Sequence, residues 1–177
     1  MNPISRHIRK RKESLFAQPE RRAVFMTPEK ASQALVVCDK HSPETEEILK
    51  RLRTWTSGYD ISMFTIFFSL DEKGRSSSNE TESKDSVTIY KNDINIFKIP
   101  DTVKLENTLH KSFDLLICLM PASSYPVEFI VKCCTASFKT GISDKPDGLF
   151  DLVVAGDKGV IEKTEFLLKT LSKIKND

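Results

Sequence analysis

The residues best suited to chemistry lie in three short polar segments, and the first of these surrounds His41. Asp39 precedes this histidine by two residues, and Ser42 follows it directly. A histidine close to a carboxylate can transfer protons as a general acid or base. An exposed turn before a helix favours the same residue types, because Asp and Ser bond readily to nearby backbone groups. We favour the turn and keep acid–base chemistry as the alternative.

The second segment, residues 120–126, places Ser123 and Ser124 between an apolar run and a helical pattern. A nucleophilic serine at such a junction normally stands in a G-x-S-x-G turn, whose glycines tolerate the strained backbone. Here the turn reads Pro-Ala-Ser-Ser-Tyr and contains no glycine. We therefore predict that these serines cap the start of a helix, and nucleophilic catalysis is the less favoured alternative.

The third segment is the turn Gly156-Asp-Lys-Gly, which contains Asp157 and Lys158. An acid beside a base could form a catalytic pair, but two polar residues between glycines are typical of a tight turn. No spacing within the three segments singles out a catalytic residue. The sequence therefore leaves the catalytic residues unknown.

Several common motifs are absent from the sequence. It has neither the G-x-G-x-x-G of dinucleotide sites nor the G-x-x-x-x-G-K-[ST] of P-loops. No C-x-x-C pair or histidine at metal-ligand spacing accompanies the four cysteines, which are Cys38, Cys118, Cys133 and Cys134. We predict buried, reduced thiols, with a reactive cysteine as the alternative. We also predict no metal site and no cofactor.

Apolar runs of strand length separate these polar segments. The clearest runs are residues 34–38, 61–70, 113–119 and 151–155. Their apolarity on both alternating faces is typical of strands that are covered on both sides of a sheet. Helical patterns follow three of the runs, beginning at Pro43 with Ser42 as the cap, at Pro126 and after Gly159. The alternation predicts an α/β fold, a single three-layer domain whose mostly parallel sheet has helices on both faces.

The polar segments are expected to meet at one edge of this sheet, because parallel strands all end at the same edge. Open parallel sheets bind ligands in a crevice beyond the carboxyl ends of their strands. We therefore predict a ligand site at this edge, formed by Asp39, His41, Ser42, Ser123, Ser124, Asp157 and Lys158.

The pattern is weaker in the middle of the chain. Residues 71–86 are polar and predict a surface loop, with a ligand lid as the alternative. Residues 87–90 and 94–97 alternate weakly and indicate a hairpin or an irregular extended segment, and residues 103–110 indicate a short helix. The helix that begins at Pro126 is predicted to continue through Phe138, with a very short strand at residues 140–142.

The overall charge of +2 conceals a basic N-terminal segment. Residues 1–22 carry seven basic and two acidic side chains, giving +5, so the rest of the chain sums to −3. Apolar residues near helical spacing predict an amphipathic helix there, and they are Ile4, Ile8, Leu15 and Phe16. We divide the chain into a basic helical arm at residues 1–27 and a Rossmann-like α/β domain at residues 28–177.

The favoured role of the arm is that of a solvated helix packed on the domain. The alternatives are a protein partner or a weak anionic partner, such as nucleic acid or anionic lipid. Aromatic residues do not alternate with the basic ones, as a single-strand binding surface requires, and no sequence-specific nucleic-acid motif is present. Without a secretory signal or an apolar stretch of membrane-spanning length, the expected location is the cytoplasm.

Residues 113–142 resemble a strand–helix unit in the N-terminal half of bacterial heptosyltransferases, a unit that ends here in Lys139-Thr-Gly-Ile. This resemblance covers about 30 of the 177 residues and implies the fold alone, because those enzymes hold their nucleotide sugar with a second domain. Over its whole length the chain is similar to a family of small bacterial proteins of unknown function. The shared features are the basic helix, the Lys-Asn-Asp-Ile-Asn segment at residues 91–95 and the Asp-Leu-Leu-Ile strand at residues 114–117.

Two classes of function remain, and the sequence does not identify a reaction. We favour a non-enzymatic binding or interaction module. The alternative is a small enzyme, or the remnant of one, that binds a phosphorylated or sugar-like ligand at the carboxyl edge of the sheet. Polar side chains that converge in one pocket there would favour the enzyme, whereas an edge filled by Met120, Pro121 and Tyr125 would favour the module.

Overall fold

The computed structural model describes residues 2–16, 22–70, 83–121, 124–142 and 148–173. The strands in this part of the chain are β1 (Gln33–Asp39), β2 (Ser62–Ser69), β3 (Ser86–Tyr90), β4 (Ser112–Cys118), β5 (Thr135–Gly141) and β6 (Leu152–Val153). The helices are α1 (Pro3–Phe16), α2 (Thr45–Gly58), α3 (Glu106–His110), α4 (Tyr125–Cys133) and α5 (Val160–Lys173).

The strands form one parallel sheet in the order β3-β2-β1-β4-β5-β6. This is the order of doubly wound sheets, which reverses direction between the first and fourth strands. α2 connects β1 to β2, and α4 connects β4 to β5 on the other side of the reversal. Right-handed crossovers in opposite directions place these helices on opposite faces. The predicted α/β fold, with a mostly parallel sheet covered on both faces, is confirmed.

Each face of the sheet packs into its own hydrophobic core, because alternate strand residues point to opposite sides. In β1, Leu35 and Val37 belong to one core, and Val36 and Cys38 belong to the other. The first core lies beneath α3 and α4, and the second lies beneath α2 and α5. Complete burial of one large aliphatic side chain contributes about 1.5–3 kcal/mol, so a strand that is apolar on both faces is strongly favoured at the centre of the sheet.

β5 is a full strand in a place where we predicted a helix through Phe138. α4 ends at Cys133, and Cys134 already has extended backbone angles, with φ −71° and ψ 134°. β5 pairs with β4 on one side and with β6 on the other. The helix prediction was wrong because these two long-range pairings supply the backbone hydrogen bonds, and local periodicity does not report them.

Two further boundaries differ from the predicted ones. The last strand is Leu152–Val153 rather than residues 151–155, and it lies at the edge of the sheet beside β5. α2 begins at Thr45 rather than at Pro43, and the Thr45 hydroxyl donates a hydrogen bond to the carbonyl oxygen of Asp39 (2.6 Å). This bond holds the residues between β1 and α2 in a turn.

The middle of the chain is irregular, as expected. β3 is followed by a 3₁₀ turn at Lys91–Asp93 and by an excursion that is closed by an antiparallel bridge between Ile94 and Pro100. The short helix predicted at residues 103–110 covers only Glu106–His110. Most of the loop predicted at residues 71–86 lies outside the described residues.

The cysteines are buried and unpaired, as predicted. Burial raises the pKa of each thiol to about 12, because a thiolate loses its hydration in the apolar interior. In the described part of the chain, no helix has the length and apolarity needed to cross a membrane.

Candidate functional site

Asp39 and His41 lie together at the carboxyl edge of the sheet, Asp39 as the last residue of β1 and His41 in the turn that follows. A carboxylate oxygen of Asp39 accepts a hydrogen bond from the backbone N–H of His41 (2.8 Å). Asp39 therefore shapes the turn and does not orient the imidazole ring. The hydroxyl oxygen of Ser42 accepts a long hydrogen bond from the backbone N–H of Glu44 (3.4 Å).

The ring of His41 forms a hydrogen bond with Ser69, the last residue of β2. The distance between Nε2 and the serine Oγ is 2.8 Å, which a serine nucleophile and its base would require. Ser69 is completely buried, however, so a substrate cannot reach its hydroxyl. The bond therefore joins the turn after β1 to the end of β2.

Asp157 and Lys158 are exposed in the turn between β6 and α5. Gly156 has a φ of +117° in this turn, which glycine adopts far more readily than other residues. A β-carbon built on Gly159 would lie 3.6 Å from a carboxylate oxygen of Glu44. The starts of α2 and α5 therefore meet at the same edge of the sheet.

Ser124 lies apart from these residues, at the start of α4, and Ser123 falls outside the described residues. Ser124 occupies the N-cap position, but its side chain makes no capping hydrogen bond. It lines an open groove of about 1000 Å³ that none of Asp39, His41, Ser42, Asp157 or Lys158 lines. The structure thus separates the predicted site residues into two groups.

The groove is bordered by segments that are distant in the sequence. Leu70 follows β2, Lys91 and Asn92 follow β3, and Ser124 directly precedes α4. Three cationic side chains line the groove, namely Arg9, Lys91 and Lys98. None of its described lining residues is acidic.

Residues 94–100 form one wall of the groove as a tightly bonded excursion. The side-chain oxygen of Asn95 accepts hydrogen bonds from the backbone N–H groups of Phe97 (2.9 Å) and Ile99 (3.1 Å). Lys98, in the same turn, has a φ of +62°. A non-glycine residue in this left-handed region costs about 1–3 kcal/mol, and such residues cluster at functional sites.

α1 contributes Arg9 to the groove. The guanidinium carbon of Arg9 lies 3.8 Å from the centre of the Tyr125 ring, and its Nε donates a hydrogen bond to the carbonyl oxygen of Phe97 (2.8 Å). One side chain thus connects α1 with the start of α4 and with the wall formed by residues 94–100. These contacts hold its positive charge at the groove.

Tyr125 is held by a second residue of α1. Its hydroxyl donates a hydrogen bond to a carboxylate oxygen of Glu13 (2.7 Å). Burial, and then this bond to Glu13, raise the pKa of Tyr125 well above its usual value. The phenol therefore stays protonated at neutral pH and cannot serve as a general base.

Two described carboxylates close to the groove are themselves in contact with cations. Glu13 lies 3.8 Å from the ammonium group of Lys132, and Asp93 lies 2.9 Å from that of Lys104. Asp93 also accepts a hydrogen bond from the backbone N–H of Tyr90 (2.8 Å). The negative charge of these two carboxylates is thus partly offset, and the described lining of the groove itself carries cations and no acid.

The three cationic residues that line the groove were not among those predicted from the sequence. Lys91 directly follows β3, so the rule that located Asp39 after β1 applies to it equally. It also begins the segment at residues 91–95 on which the family resemblance rests. For Arg9 and Lys98 no local signal exists, because a basic helix and an irregular segment do not reveal what they pack against.

No group of three or more His, Cys, Asp or Glu side chains that could hold a metal ion occurs among the described residues. The polar side chains among the described lining of the groove are instead cations, amides and hydroxyls. Such groups bind anions. They do not provide the acidic, imidazole or thiolate ligands that a metal site needs.

The comparisons with known proteins give a family and no activity. No curated protein and no solved structure matches the chain, so the likeness to heptosyltransferases receives no support. A family model described as a family of unknown function, DUF6913, matches residues 5–174. The similarity to an uncharacterised family is therefore confirmed over nearly the whole length. The chain belongs to the family of unknown function DUF6913.

Proposed function

We propose that this protein is a non-enzymatic binding module that holds a phosphate-bearing ligand in the groove at the carboxyl edge of its sheet. The observation that carries this proposal is the convergence of Arg9, Lys91 and Lys98 on one groove whose described lining contains no acid. These cations come from α1, from the end of β3 and from the following excursion.

The surroundings of the three cations support an anionic ligand. Ser124 and the N-terminal end of α4 border the groove, and the positive end of a helix dipole favours negative charge. Asn92 and Asn95 add amide groups to the lining. A phosphate group has several acceptor oxygens and fits such a set of donors.

The same lining supports binding rather than catalysis. The described groove residues include no His, Cys, Asp or Glu, and the Tyr125 hydroxyl donates a hydrogen bond to Glu13. His41 and Ser69 are bonded outside the groove, and Ser69 is buried. The groove can therefore hold an anion, but among its described residues it has no general base to activate a nucleophile.

We also propose a cellular compartment for the protein and a role for α1. Four unpaired cysteines favour a reducing compartment such as the cytoplasm. The anionic partner of the basic N-terminal helix is then the ligand of the groove, because Arg9 of this helix lines the groove.

The test measures the binding of ethyl phosphate and glycerol 3-phosphate by NMR titration of the full chain. We expect Lys91→Gln and Lys98→Asn each to weaken binding about fivefold, the loss of about 1 kcal/mol typical of an exposed ion pair. Asn tolerates the left-handed backbone at position 98, so the second variant removes the charge without added strain. Lys169→Gln, on the exposed side of α5, is the matched control and should bind like the wild type.

Failure of every phosphate compound to bind, or equal binding by the three variants, contradicts the proposal. The titrated samples also test the alternative class of function. Release of inorganic phosphate, or any other chemical change of the ligand on incubation, would identify an enzyme instead of a binding module.

A further inference from the structure

The groove is aliphatic as well as cationic. Its apolar lining consists of Leu70, Ile94, Ile96 and Pro126. Ile96 is 88% exposed, the highest exposure among the large hydrophobic residues in the described part of the chain. A single exposed isoleucine is ordinary, but Ile96 borders a cavity together with other aliphatic residues, and an apolar lining is typical of ligand-binding grooves.

The turn around Ile96 holds this side chain outward. Phe97 packs against the core beneath α4, and its carbonyl oxygen accepts the hydrogen bond from Arg9. The amide oxygen of Asn95 accepts hydrogen bonds from the backbone N–H groups of Phe97 and Ile99, which fixes the backbone that follows Ile96. Phe97 is therefore anchored towards the core, while its neighbour Ile96 is exposed to solvent.

The groove is poorly suited to a nucleotide base. Tyr125 is the aromatic residue among its described lining, and one face of that ring is covered by the guanidinium group of Arg9. Stacking of a base uses an open aromatic face, and the ring of Tyr125 has one face already covered. Aliphatic side chains instead cover an aliphatic chain, because they remove its surface from water without requiring directional bonds.

Resting on the proposed function, we infer that the ligand is an amphiphilic anion, a phosphate monoester that carries an aliphatic chain. The phosphate lies among Arg9, Lys91 and Lys98, and the chain lies over Ile96 and its aliphatic neighbours. A phosphate group alone would contact the cations and leave the aliphatic lining uncovered. An aliphatic chain alone would leave the cations without an anion. One amphiphilic anion contacts both parts of the groove.

The test compares ethyl, butyl, hexyl and octyl phosphate, all as monomers in solution, by titration of the full chain. The binding affinity should rise about twofold per added methylene. This corresponds to roughly half of the binding free energy that complete burial of a methylene would give, because the groove is open. Octan-1-ol should bind far more weakly than octyl phosphate, since it lacks the charge.

The matched variants are Ile96→Ser and Val103→Ser, both at strongly exposed positions where folding does not depend on the side chain. Ile96→Ser should weaken octyl phosphate binding about fivefold and leave ethyl phosphate binding unchanged, as expected for the loss of one partly covered aliphatic contact. Val103 is not among the lining residues of the groove, so its variant should behave like the wild type.

Sedimentation with phosphatidylcholine vesicles, with and without phosphatidic acid, distinguishes the sources of the amphiphile. Binding to phosphatidic acid vesicles that depends on Ile96 supports a lipid in a bilayer, and octyl phosphate binding without vesicle binding supports a free amphiphile. Octyl phosphate that binds no tighter than ethyl phosphate overturns this inference and leaves the proposed function standing. If no phosphate compound binds at all, the proposed function itself fails.

Discussion

Gly141 illustrates, at the scale of one residue, how closely the chain packs around β5. A β-carbon built on this glycine would lie 2.6–2.8 Å from three ring carbons of Phe150. Real β-carbons do not approach other atoms so closely, so a side chain here displaces the phenyl ring. The glycine is thus required by a neighbour nine positions away in the sequence and not by its own backbone angles.

We expect Gly141→Ala to lower the free energy of unfolding by about 1–3 kcal/mol, the usual cost of overpacking a well-packed site. Urea denaturation followed by circular dichroism measures this change. Gly58→Ala is the control, because its added β-carbon meets no atom within 4 Å at the end of α2. A Gly141→Ala protein as stable as the wild type would show that the Phe150 ring moves aside without cost.

The bond between His41 and Ser69 shows what a single residue type leaves undecided. The sequence places His41 close to Asp39, and it allows two interpretations of this histidine, an exposed turn residue or a general acid or base. In the structure Asp39 bonds the histidine backbone, and the ring bonds a serine that is wholly buried. The partner Ser69 is 28 residues away, so spacing around the histidine could not reveal it.

At the scale of the element, α1 is the helix that is least enclosed by the fold. It has no buried residue, and two members of its predicted apolar stripe, Ile4 and Leu15, are 64% and 65% exposed. Its attachment depends on a few side chains, among which the Phe16 ring lies 5.8 Å from His110 and 6.4 Å from Phe129 between centroids. That the basic arm is a unit separate from the domain stays a prediction.

Hydrogen exchange should be faster in α1 than in β4, whose residues from Leu115 to Cys118 are completely buried. Phe16→Ala should speed exchange in α1 further, because each aromatic pair contributes about 0.5–1.5 kcal/mol. Leu15→Ala is the neighbouring control and should change little, since Leu15 is exposed. Protection of α1 equal to that of β4 would contradict the idea of a weakly attached helix.

At the scale of the whole molecule, Asp114 fastens the start of β4 to the segment that leads into β1. One of its carboxylate oxygens accepts hydrogen bonds from the backbone N–H of Ser32 (2.8 Å), the Ser32 hydroxyl (2.9 Å) and the backbone N–H of Gln33 (3.0 Å). Burial alone would raise the pKa of Asp114, but these three bonds outweigh it and lower the pKa. The two central strands are therefore linked by a carboxylate that must be ionised.

Because the pKa of Asp114 is lower in the folded state, its ionisation stabilises the fold above its unfolded pKa, about 4. That contribution is lost as the pH falls through the folded pKa. We expect Asp114→Asn to lower the free energy of unfolding at pH 7 by about 1 kcal/mol, because the substitution replaces charge-assisted hydrogen bonds with neutral ones. As the pH falls from 7 into the acid range, the free energy of unfolding should decrease less for the variant than for the wild type.

Urea denaturation at a series of pH values measures both effects. Asp60→Asn is the control, because it removes an exposed carboxylate at a backbone position, φ 58°, that Asn also tolerates. Parallel curves of stability against pH for wild type and Asp114→Asn would contradict the assignment.

The sequence by itself determined the α/β class and the central strands. β1, β2 and β4 coincide within a residue or two with runs that are apolar on both faces, since burial on two sides needs apolar residues at every position. The sequence also predicted a ligand site at the carboxyl edge, because parallel strands share that edge; this site stays a prediction. Ser124, predicted there, does line the groove.

Only the tertiary structure decided where β5 lies and which cations meet. β5 is a strand because β4 and β6 pair with it, and these partners outweigh a local pattern that also fits a helix. Arg9, Lys91 and Lys98 share one groove because α1 packs across the start of α4 and the excursion after β3. Periodicity records which face of an element is buried, whereas a site made from several elements depends on how those elements pack together.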